Sequence, residues 1–106
     1  MQISEIWVSQ RKLRCAEQIG EMITSLTFGA TLPPVVLTRD EIGSIQLDDG
    51  HHRVVAIWLS GRRYLKSTEF VIVESDRWRP RFGHVPDLMK RCGIWPDGET
   101  EITPGF

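Results

Sequence analysis

The densest grouping of side chains capable of chemistry is Asp48-Asp49-Gly50-His51-His52-Arg53. The preceding Ile45-Gln46-Leu47-Asp48 alternates apolar and polar residues like a strand, and an apolar, helix-length run follows. A strand is therefore expected to turn at Gly50 directly into a helix. The first amides of a helix lack intrahelical acceptors, and the helix dipole places partial positive charge there, so an anion is favoured at this point. Gly50 has no Cβ to hold an oxyanion away from the backbone. Arg53 can present its planar fork to a phosphate, and His51 and His52 add two further donors. Asp49 is suited either to capping the helix or to holding a magnesium ion. A plainer reading stands beside this one: Asp-Gly is a common hairpin dipeptide, and two histidines can simply decorate a surface.

A second grouping interleaves cations with rings, in Arg77-Trp78-Arg79-Pro80-Arg81-Phe82, followed by His84 and Lys90-Arg91. Cations that track phosphates and rings that stack on bases are how single-stranded DNA or RNA is held, which makes Arg77, Arg79, Arg81, Lys90 and Arg91 candidate nucleic-acid contacts. The same residues suit a loop anchored by Trp78 and Phe82, with Arg–Trp cation–π pairs, or a surface for a partner protein. Residues 53–91 hold nine of the 13 basic residues against four acidic ones, giving that stretch +5 and the remainder −6. The asymmetry permits a surface facing a polyanion. His51, His52 and His84 with Asp48 and Asp49 lack the spacing of a transition-metal site, so none is expected. Cys15 and Cys92 form no C-x-x-C pattern and read as reduced, covered thiols. Trp7, Trp58 and Trp95 read as packing residues.

The elements that must position these groups follow from periodicity. Residues 3–8 read as a first strand, and residues 16–28 as an amphipathic helix with Ile19, Met22, Ile23 and Leu26 on one stripe. Pro33-Pro34 breaks the chain before a short apolar strand at residues 35–38. A turn at residues 39–44 then leads to the strand at residues 45–48, completing a hairpin. Residues 51–60 read as a buried helix closed by Gly61, residues 69–74 as a strand, and residues 85–92 as a short helix. The 106 residues suit one α+β domain with a small mixed sheet over residues 1–92, with residues 93–106 as a tail. No apolar run is long enough to span a bilayer and no signal-peptide pattern opens the chain, so a cytoplasmic location is the default expectation.

The run Gly50-His51-His52-Arg53-Val54-Val55-Ala56, of the form G-x-x-R-x-x-A, resembles the signature of the ParB/sulfiredoxin superfamily. Pro34-Val35-Val36-Leu37 is similar to the strand before that signature, and Gly61 to the glycine that ends its helix. The resemblance spans residues 3–74 and is most specific over residues 34–61. It implies a nucleotide (ATP, ADP or CTP, with or without Mg2+) whose phosphates lie over the turn, with Gly50 and Arg53 as phosphate-binding residues. His52 resembles the histidine of the sulfiredoxin motif, whereas His51 stands where that motif has its catalytic cysteine, which argues against sulfiredoxin chemistry. The Asp-Gly-His-His-Arg form looks most like free serine kinases. That likeness implies a small kinase or nucleotide hydrolase using Glu17, Asp49 and His52, with Glu17 as base and Asp49 orienting substrate or magnesium. The alternatives are a nucleic-acid-binding or regulatory module without catalysis, and a ParB-like nuclease.

Overall fold

The computed structural model describes residues 1–13, 16–74 and 80–94. A 3-10 turn (Ile3–Glu5) leads into strand β1 (Trp7–Val8) and helix α1 (Ala16–Thr27). Strands β2 (Val35–Arg39) and β3 (Ile45–Asp49), helix α2 (His51–Leu59), strand β4 (Phe70–Glu74) and helix α3 (Val85–Arg91) follow. The architecture is the expected α+β domain: the described residues form three α-helices and a four-stranded mixed sheet of order β1-β3-β2-β4. β1 runs parallel to β3, β2 antiparallel to β3, and β4 parallel to β2. None of the described helices is long and apolar enough to cross a membrane.

Residues 3–8 do not form one strand, because only Trp7 and Val8 pair with β3. Ile6 N–H donates to Ile3 O, while Ile3 N–H donates to Arg63 O and Leu65 N–H to Met1 O. The 3-10 turn places residues three apart on one face, so Ile3 and Ile6 both enter the core with no exposed surface. The remaining boundaries fall within a residue or two of expectation. The β2–β3 turn closes as its residues suggest, with Asp40 accepting from the amides of Ile42 and Ser44.

α2 forms the centre of the molecule. Val54, Val55, Ala56, Ile57 and Trp58 are all buried, because the helix contacts α1, β2 and α3. Each fully buried aliphatic side chain contributes about 2 kcal/mol. α1 buries one stripe: Ile19 is covered, Met22, Ile23 and Leu26 are half-buried against the core, and Glu17, Gln18 and Glu21 are exposed. Past the end of α2, Arg63 donates to Trp58 O and lies 4.2 Å from the Trp58 ring centroid.

The strand directions bring four connections to one end of the sheet. β1 and β3 finish at the end where β2 and β4 begin, so Ser9, Gly50, Pro34 and Glu69 share it. β3 carries an irregularity just before the turn: Val36 pairs with Asp49 and Leu37 with Leu47, leaving Asp48 as the extra residue of a bulge. Such a bulge twists the strand end locally and sets the direction in which Asp49 leaves the sheet.

Candidate functional site

Gly50 is the N-cap of α2, in the left-handed region at φ 107°, and no side chain caps the helix. Val54 N–H is the first to donate within it, to Gly50 O. Asp49, expected as a cap or a metal ligand, does not cap the helix; its Oδ2 accepts from Arg53 Nη2 at 3.0 Å. The requirement for glycine is steric as well as conformational. A Cβ at position 50 would lie 2.5 Å from Val35 Cγ1 and 2.8 Å from Val35 Cβ. The turn is thus pressed onto the start of β2, and the absent side chain makes room for Val35.

Arg53 reaches back as expected, and it is already held. Its Nη1 donates to Pro33 O and Pro34 O, both at 3.0 Å. Only 16% of its side chain is exposed, against 71% for that of Asp49. The three contacts differ in strength. The two carbonyls fix a largely covered guanidinium, while an ion pair with so exposed a carboxylate contributes at most about 1 kcal/mol. The Asp49 contact is therefore the one an incoming anion can exchange most cheaply.

His51 and His52 take different roles despite adjacency. His51 is buried, with 2% of its surface exposed. Its Nε2 accepts the Ser9 N–H at 3.1 Å, which places the imidazole proton on Nδ1. Nδ1 is covered and has no hydrogen-bond partner among the described residues. Burial pushes the His51 pKa down to about 4, the charge of His52 adds to that shift, and Asp49 opposes it. His52 is half-buried, and burial lowers its pKa as well. A neutral His51 therefore stations an orphan N–H donor at the first residue of the helix. Sequence reasoning missed Ser9, which sits just past β1; its role depends on the parallel pairing of β1 with β3, and no local motif signals it.

The other expected site residues that the structure describes make no bond to the Gly50 turn. Glu17 is exposed in the first turn of α1, and among the described residues no hydrogen bond or ion pair joins it to the turn. Arg81 is engaged: its Nη2 lies 2.8 Å from Asp40 Oδ2, and its guanidinium lies 5.3 Å from the Trp7 ring centroid. Phe82 anchors its segment, donating its amide to Val8 O and packing against the core. Arg91 donates to the carbonyls of Arg11 and Gln10, and Lys90 is exposed. Arg77 and Arg79, with Trp78, fall outside the described residues, as do Cys15 and Trp95. Cys92 is a free, half-buried thiol whose sulfur accepts the Leu13 N–H.

Fold and site together define a small α+β domain with an uncapped helix start facing the shared end of its sheet. No family model, curated protein or solved structure matches the chain.

Proposed function

We propose that this chain binds the phosphates of a nucleotide at the start of α2, in the manner that the resemblance of Gly50-His51-His52-Arg53 to the ParB/sulfiredoxin signature implies. One observation carries the reading: a nine-residue helix begins at an uncapped glycine with a guanidinium fixed beside it. The helix dipole, the first-turn amides and the Arg53 fork all favour an anion. Asp49 gives up its ion pair when phosphate arrives, and its exposed carboxylate then suits a magnesium ion shared with phosphate oxygens. Among the described residues no group of three or more His, Cys, Asp or Glu is arranged to hold a metal, so the phosphates would supply part of the coordination. Phosphoryl transfer or hydrolysis would add Glu17 as base, with Asp49 and His52 at the reacting end.

The test is a thermal-shift and titration panel of ADP, ATP and CTP, with and without magnesium. The expected result is a stabilisation of several degrees that Arg53→Ala removes and Asp49→Asn increases in the absence of magnesium, because a neutral amide competes more weakly for Arg53 and no longer repels the phosphate. Arg53→Ala also releases the Pro33 and Pro34 carbonyls, so its shift is read against its own ligand-free melting temperature. Absence of any nucleotide shift, with salt-sensitive oligonucleotide binding in its place, transfers the function to nucleic acid. Turnover abolished by Glu17→Gln with affinity retained would establish the enzyme.

A further inference from the structure

A cleft of about 670 Å³ opens between the end of α1, the segment leading into β2 and the end of α2, and is not used by the phosphate site. We propose that it takes the base and ribose of the nucleotide; this rests on the phosphate-binding reading above. The volume lies within the range of small-molecule sites. The cleft is also joined to the turn: Pro34 lines it, and Pro34 O is held by Arg53 at 3.0 Å. From there it extends past the end of α1 at Thr27 to Ser60, just beyond the last residue of α2. α2 has nine residues and is therefore roughly 14 Å long, a span an extended nucleotide covers.

The lining suits a nucleoside. Leu26, Leu32 and Pro34 provide apolar surface for a flat ring. Thr27 and Ser60 donate their hydroxyl protons to carbonyls of their own helices, Ile23 O and Ile57 O, so towards a ligand their oxygens are left as acceptors. Acceptors at the ends of two helices match a base edge that bears an exocyclic amino group, as in adenine or cytosine. Lys66 also lines the cleft; its charge acts on Glu69, and its exposed ammonium can turn to ribose or the nearest phosphate. Arg62 is not available, because Glu69 holds it through two short bonds, from Nη1 at 2.5 Å and Nη2 at 2.6 Å. That pair forms a neutral wall.

The experiment compares ATP and CTP with inorganic tripolyphosphate by calorimetric titration, on the intact chain and on Ala30→Trp, which fills the cleft from an exposed lining position. Thr31→Trp serves the same purpose should Ala30→Trp fold poorly. At least one nucleotide is expected to bind about tenfold tighter than tripolyphosphate. The tryptophan variants should erase that advantage and leave tripolyphosphate affinity unchanged. Equal affinity for nucleotide and tripolyphosphate, or an advantage that survives both variants, overturns the cleft assignment and leaves the phosphate turn intact. Nucleotide binding lost in the variants, with no tripolyphosphate binding at all, keeps the cleft and removes the turn. If no probe binds, both assignments are overturned.

Discussion

At the residue scale, His51 sets the most direct consequence. Its folded pKa of about 4 lies below the ordinary 6.5, so the unfolded chain takes up a proton before the folded chain does. Stability from this group is therefore full above pH 6.5 and falls as the pH drops towards 4. At about 1.4 kcal/mol per pH unit the loss approaches about 3 kcal/mol. Urea denaturation of the intact chain at pH 7 and pH 4.5 should show it, and His51→Asn should flatten the difference. An equal pH dependence in the variant would assign the loss to other groups. Glu69 acts in the same direction: the Arg62 hydrogen bonds hold its carboxyl below the usual range, so its contribution is lost only in stronger acid. Arg62→Ala leaves the half-buried Glu69 carboxylate with only the Lys66 amide and charge and should cost about 1–3 kcal/mol in a denaturant titration.

At the element scale, the two glycines that bracket α2 separate two physical costs. Gly61 follows the helix at φ 111° with open space around a would-be Cβ, so Gly61→Ala should lose only the left-handed penalty of about 1 kcal/mol. Gly50 adds the collision with Val35 to the same penalty, so Gly50→Ala should lose roughly 2–4 kcal/mol. The two losses combine in the double variant with Val35→Ala, which should recover part of the Gly50→Ala penalty; strict additivity would show that the contact does not decide the residue. α1 and α2 differ in a parallel way. α1 is held along one stripe and α2 is surrounded, so α1 amides should exchange with solvent through local opening while those from Val55 onwards exchange only on global unfolding. Native-state hydrogen exchange in low denaturant reads that difference.

At the scale of the whole molecule, the site is a product of topology. Parallel pairing of β1 with β3 and antiparallel pairing of β2 with β3 gather Ser9, Pro34, Gly50 and Glu69 at one end. The arrangement also engages Arg81, from the described part of the basic segment. The backbone around Phe82 and Gly83 bonds to Val8, and Arg81 pairs with Asp40 on the β2–β3 turn. Asp40→Asn weakens an ion pair exposed by about a third on each side, so it should leave stability nearly unchanged. If the basic segment reads nucleic acid, that variant should instead strengthen oligonucleotide binding measurably at low salt, by releasing Arg81.

The sequence by itself determined the elements and the location of the candidate site. The Ile19/Met22/Ile23/Leu26 stripe, the Pro33-Pro34 break, the alternation of β3 and the glycine before two histidines are local patterns, and local patterns fix local dihedrals and buried faces. It could not determine that residues 3–8 split into a 3-10 turn and a two-residue strand, because the backbone partners of the first residues come from the segment after α2. Nor could it assign the members of the turn. Asp49 and His51 are both polar residues beside a glycine, yet one stands in solvent paired with Arg53 and the other lies buried against Ser9. Their fates were decided by which strand lies beside β3 and by the bulge at Asp48, and both are long-range pairings that no local spacing records. Tertiary structure likewise decided that Arg53 meets two proline carbonyls and that a cleft adjoins them.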